Sequence, residues 1–156
     1  MNATALFNAI RSEELPVVQQ IINSYPELIN ERDTRGSTPL LLATYYGLKE
    51  ISAYLLTLNP QLDAQDASGN TALMGVSFKG DITLAEMLLK AGASVNVRNY
   101  SDATALIYAA TFGHKDIIKL LIAHGADVDL KDNQGYTAAN HAQNQGLDFS
   151  ELLTTS

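Results

Sequence analysis

Short apolar stretches separated by polar, glycine-containing breaks run the length of the chain, and their spacing predicts pairs of short helices. Ile51, Tyr54, Leu55 and Leu58 fall at i, i+3, i+4 and i+7, which is one face of a helix. Ile117, Leu120 and Leu121 repeat that face further along. Ahead of each such helix lies a more uniformly apolar segment, "TPLLLATYYG" at 38–47 and "ATALIYAATFG" at 103–113. Thr38 suits the cap of the first of these helices and Pro39 its first turn. Gly47 suits the left-handed residue that ends it.

The pattern has a period. Thr38, Thr71, Thr104 and Thr137 are each 33 residues apart, and Thr4 precedes Thr38 by 34. Gly47, Gly80, Gly113 and Gly146 follow these four threonines by nine residues, and Glu13 holds that place in the first unit. "AGASVNVRN" at 91–99 returns as "HGADVDLKD" at 124–132, and "DTRG", "DASG" and "DNQG" open at 33, 66 and 132. Asp first and Gly fourth is the composition of a tight turn. Units at about 1–33, 34–66, 67–99, 100–132 and 133–156 follow, forming one domain. Helices under about 12 residues are marginal in water, so each pair must bury its apolar face on the next. The last inner segment, "TAANHAQNQG" at 137–146, is polar where its counterparts are apolar, and Phe149, Leu152 and Leu153 remain to plug the core. It reads as a capping unit, as the first unit does at the other end. The fold class is therefore all-α, a solenoid of helix–turn–helix units joined by β-turn loops.

Composition narrows the function. A net charge of −7 opposes sequence-independent nucleic-acid binding and adhesion to anionic membranes. No apolar run approaches the roughly 18 residues of a spanning helix. The start, "MNATALFNAI", lacks a basic region before an apolar stretch, which argues against a signal peptide, and the cytoplasm is the expected compartment. With no cysteine, disulfides and thiolate chemistry are excluded. His114, His124 and His141 lack metal-ligand spacing, so neither metal nor cofactor is expected. Asp63 with Asp66, and Asp127, Asp129 and Asp132, could serve as acid and base. They recur at one phase of the repeat, however, where turn formation accounts for them, and no enzyme activity is expected.

The threonine, glycine and turn markers together resemble the ankyrin-repeat family, whose pattern is a D-x-x-G turn, T-P-L-H-x-A-A-x-x-G-H, and an outer helix ending L-L-x-x-G-A. It is matched by "GSTPLLLATYYG" at 36–47, "EMLLKAGASVN" at 86–96 and "ATALIYAATFGHKDIIKLLIAHGAD" at 103–127. Several departures stand out. The histidine of that pattern is replaced by Phe7, Leu41, Met74, Ile107 and Asn140, which removes the bonds it makes between units. Asp102 stands where the turn "NYSD" should carry glycine, Asn59-Pro60 replaces Gly-Ala, and an extra residue lies near Tyr25-Pro26.

The resemblance implies a non-catalytic module that binds another protein on a concave face made of turn tips and inner helices. The tips map to Arg35, Ser68, Asn70, Tyr100 and Tyr136, and the inner helices contribute Tyr45, Tyr46, Phe78, Lys79, Tyr108 and Phe112. Seven of the eleven aromatic residues thus fall on groove positions. Such rings could pack between units, with Tyr108 and Phe112 half-buried. The core phase is already filled by Leu40, Ala43, Leu73, Val76, Leu106 and Ala109, which favours a binding stripe. An inhibitor or immunity-type protein blocking a cognate enzyme is the alternative on the same surface. A monomer is expected, with weak self-association through the aromatic groove as the competing use of the stripe.

Overall fold

The computed structural model describes residues 2–153; Met1 and residues 154–156, which open the first predicted unit and close the last, lie outside the described residues. The described residues form ten α-helices, one 3₁₀ turn and no strand. The inner helices are α1 (Asn2–Arg11), α3 (Pro39–Tyr45), α5 (Ala72–Lys79), α7 (Ala105–Thr111) and α9 (Ala138–Asn144). The outer helices are α2 (Leu15–Ser24), α4 (Lys49–Leu56), α6 (Ile82–Ala91), α8 (Lys115–Ala123) and α10 (Phe149–Leu153). Each inner helix packs on the next one along the stack, and each outer helix packs on its own inner partner. The result is the expected all-α solenoid.

Local chemistry places the helix ends. Thr38, Thr71, Thr104 and Thr137 are extended, and each Oγ1 accepts the N–H of the residue three positions on, at 3.2–3.3 Å. Thr4 does not cap: α1 already begins at Asn2 and runs through it, so this threonine keeps the period without the role. Glu13, in the first unit's glycine place, takes the left-handed backbone with φ 58°, as Asp102 does with φ 60°. Asn59 likewise adopts φ 53° where Gly92 and Gly125 stand in later units. That loop therefore begins like its counterparts, because asparagine tolerates the left-handed region. The extra residue near Pro26 is absorbed in a 3₁₀ turn, Pro26–Asn30.

The core follows the predicted phase. Leu40, Ala43, Leu73, Val76, Leu106 and Ala109 are all at most 1% exposed. Leu41, Met74 and Ile107, at the place of the missing histidine, are buried as well, so apolar packing fills that position. Phe149 and Leu152 of the last helix are buried and α10 packs on α8 and α9, closing the stack, whereas Leu153, expected in the core with them, is 43% exposed.

Polar bonds between units come instead from two ladders with the period of the repeat. Arg32 Nη1 donates to Gly36 O and to Gln65 O of the next unit, at 2.6 and 2.7 Å. Gln65 Nε2 donates to Gly69 O and Arg98 O at 2.8 and 3.0 Å, and Arg98 donates onward to Lys131 O. In the second ladder Asn30, Asp63 and Asn96 accept the backbone N–H of Gln61, Ser94 and Asp127 at 2.8–2.9 Å.

Two substitutions test the turn geometry with opposite signs. Gly113 has φ 73°, and a Cβ there would touch only Gln145, at 3.7 Å and beyond. Gly113→Val is thus disfavoured by the backbone rather than by crowding and should destabilise by more than about 1 kcal/mol. Asp102→Gly should stabilise by roughly 0.5–1 kcal/mol, because it relieves the same strain. Urea melts of the two variants should bracket the wild type.

Candidate functional site

The turn tips and the inner helices of the second and third units enclose an open hollow of about 880 Å³. Arg35, Tyr45, Tyr46, Ser68, Asn70, Phe78 and Tyr108 all line it, so seven of the eleven residues singled out in the sequence come together there. Lys79, Tyr100 and Phe112 contact lining residues or the neighbouring tip, and Tyr136 stands apart on the last unit. Lys79 Nζ sits 4.4 Å from the centre of the Tyr45 ring, a cation–π contact worth about 0.5–1 kcal/mol at an exposed site. Phe112 packs edge-on against Phe78, with centroids 4.7 Å apart. Tyr100, on the next tip, is 71% exposed while its ring rests on Gly69. Tyr136 lies on the last tip, edge-on to His141.

The rings are both packed and exposed. Tyr45 meets Tyr46 at 81°, and Phe78 meets Tyr108 and Phe112 at 88° and 83°, the edge-to-face geometry that aromatic quadrupoles prefer. Even so, Tyr46 keeps 53% of its surface in solvent and Phe78 keeps 38%. The helical phase explains this. The aliphatic positions face the stack and the rings emerge beside them, where edge-to-face contacts leave part of each ring in solvent. Tyr108 is the half-buried member, whereas Phe112 is 46% exposed.

Asn99 joins two of the predicted residues and was not singled out in the sequence. Its Nδ2 donates to Asn70 Oδ1 at 2.8 Å and to the Tyr108 hydroxyl at 2.9 Å, and its Oδ1 accepts from the N–H of Ser101 and Ala103. Asn99 occupies the aspartate place of its turn, and only an amide offers a donor there, which is the signal that could have found it. Arg11 was also missed. It lines the hollow from the first unit and pairs with Asp33 at 3.2 Å. Gly75 lines it too, inside α5, where glycine costs about 1 kcal/mol relative to alanine.

Four of the five carboxylates weighed for chemistry have structural partners; among the described residues, Asp129 bonds only through its backbone N–H. Asp66 and Asp132 accept turn N–H groups, Asp63 holds Ser94, and Asp127 Oδ1 accepts from Asp129 N. His114 Nε2 bonds the Phe78 carbonyl, His124 Nδ1 the Leu120 carbonyl, and His141 Nε2 bonds Asp132 Oδ2 at 2.8 Å. No group of three or more metal-ligating side chains occurs among the described residues.

With the stacked helix pairs, the capped inner helices and the turn-lined hollow established, family comparison is decisive. A family model described as ankyrin repeats (three copies) matches residues 6–99 and again residues 76–156. The chain belongs to the ankyrin-repeat family. A search of the curated proteins gives no significant match. Ankyrin repeats are generally protein–protein interaction modules and typically non-catalytic. No helix among the described residues of this ankyrin-repeat protein is long and apolar enough to cross a membrane.

Asp132, in the last turn, carries a pH signature. Burial raises the Asp132 carboxyl, but the N–H of Tyr136, the His141 ring and the N–H of Gln134 outweigh it and hold it below its ordinary 3.8. A lowered folded-state value stabilises the fold above that ordinary value, and the contribution disappears as the pH falls through the lowered one. Asp132→Asn keeps the turn acceptor and loses the charge. Its stability deficit against wild type should shrink as the pH falls below about 4, as read by thermal melts across an acid series.

Proposed function

We propose that this ankyrin-repeat protein is a non-catalytic recognition module that holds another protein against its turn tips and inner helices. One observation carries the reading. Tyr45, Tyr46 and Phe78, which line the hollow, and Phe112, edge-on to Phe78, stay between 38% and 53% exposed, although the aliphatic positions of the same helices are buried. Contiguous exposed apolar surface of this kind marks interaction sites, and Tyr with Arg dominates binding hot spots. Edge-to-face packing holds these rings in place before a partner arrives, which lowers the ordering cost of binding. Arg35, Ser68 and Asn70 supply a polar rim on the tips.

A double substitution tests this reading once affinity purification and mass spectrometry have supplied a partner. Tyr46→Ser with Phe78→Ser should weaken binding at least about tenfold, since a single hot-spot truncation costs about 2 kcal/mol. The helical circular dichroism should be retained and the melting temperature should fall by a few degrees, because the edge-to-face pairs of Phe78 contribute about 0.5–1.5 kcal/mol each. Lys90→Ala with Lys119→Ala, on the outer helices, should leave affinity unchanged. A folded double variant with undiminished affinity would place the partner on another face.

A further inference from the structure

Four turns carry an acid or amide at the same place: Asp33, Asp66, Asn99 and Asp132. In each, Oδ1 accepts the backbone N–H two and four residues on, at 2.9–3.0 Å. The remaining side-chain atom has a side-chain partner in three of the four. Asp33 Oδ2 takes Arg11 at 3.2 Å, Asn99 Nδ2 meets the Tyr108 hydroxyl at 2.9 Å, and Asp132 Oδ2 meets His141 Nε2 at 2.8 Å.

Asp66 is the exception. Tyr108 and His141 both stand four residues after their cap threonine, and the residue at that place in the third unit is Gly75. Asp66 Oδ2 consequently has no hydrogen-bond or ion-pair partner among the described residues, and both Asp66 and Gly75 line the hollow. Internal packing does not call for this glycine. A Cβ on Gly75 would meet Tyr45 Cδ1 at 3.6 Å, an ordinary contact.

We propose that a lysine or arginine side chain of the partner protein enters the hollow over Gly75 and donates to Asp66 Oδ2. It would do for the third unit what Arg11 and His141 do for the second and fifth. The proposal rests on the recognition function above and adds to it the chemistry of the partner. A charge-assisted bond to a part-shielded carboxylate is strong, and the Tyr46 and Phe78 side chains that line the same hollow offer apolar surface to the stem of a cationic side chain. The net charge of −7 steers a basic segment toward the protein. Arg35 is the opposing consideration: it lines the same hollow, and its guanidinium has no partner among the described residues.

Displayed random peptides selected on the wild-type protein, and counter-selected on Tyr46→Ser with Phe78→Ser, supply groove-dependent ligands. These should share one Lys or Arg whose change to acetyl-lysine or citrulline weakens binding at least about tenfold. On Asp66→Asn the same change should alter affinity by less than about twofold, because the coupled partner is gone. Asp66→Asn should fold, since Asn99 fills that place in the fourth unit. Gly75→His, which brings its own donor as His141 does, should lose affinity to the same extent with an unchanged or higher melting temperature. Groove-dependent peptides with no essential cation would overturn the proposal and leave the recognition surface standing. So would peptides that lose affinity with Arg35→Ala and not with Asp66→Asn. Peptides indifferent to Tyr46 and Phe78 would remove the surface, and this proposal with it.

Discussion

Everything in this protein depends on one constraint: a helix of seven or eight residues cannot hold itself together in water. Four of the five inner helices are that short, and their caps satisfy only part of the exposed backbone at each end. The missing stability comes from stacking, which commits two or three positions of every inner helix to the neighbouring unit. Ala43, Val76 and Ala109 are fully buried for this reason, and small side chains there let the helices approach. Once those positions are fixed, residues next to them on α3 and α5, Tyr45, Gly75 and Phe78 among them, line the hollow. The surface proposed for recognition is the remainder of the stacking face.

The loss of the family histidine alters how the units are tied together. At that place the chain puts Leu41, Met74 and Ile107 in the core, which adds apolar burial and gives up a directional bond. Directionality returns on the turn side through Arg32, Gln65 and Arg98, each of which bonds its own turn and the next unit. Backbone bonds from Tyr100 to Ser68 and from Asn133 to Ser101 join neighbouring tips directly. The tips are therefore held in register by hydrogen bonds and the helices by packing, and the hollow lies between those two sets of contacts.

Much of this was legible in the sequence because caps, turns and helix faces are local. Thr38 with Pro39, the glycine nine residues after each cap threonine, and the spacing Ile51, Tyr54, Leu55 act over distances that helix geometry fixes. Thr4 failed because a period marks equivalence without guaranteeing equal conformation. The ladder through Gln65 escaped notice because its bonds reach a carbonyl a whole unit away, and nothing local to Gln65 announces it. The stripe was readable as a phase but not as a degree of exposure. Whether Phe78 is covered depends on how far Tyr108 and Phe112 stand from it, a distance set by the stacking of two units. Gly75 is the one glycine within an inner helix among the described residues, yet its meaning requires knowing what its counterparts Tyr108 and His141 bond.

That comparison between equivalent positions is the kind of inference a repeat protein permits. In a non-repeating fold, an aspartate with one partnerless oxygen is a single observation. Here Asp66 has three internal references that share its turn geometry, each with its second atom engaged. The departure of the third unit is thus measured against the chain itself. It coincides with a helix-weakening glycine and with a hollow walled by aromatic rings. Each feature forgoes local stability that an ordinary side chain would supply. Their meeting at one spot, midway along the stack, is what sets Asp66 and Gly75 apart from the rest of the surface and underlies the proposal that a partner's cation is read there.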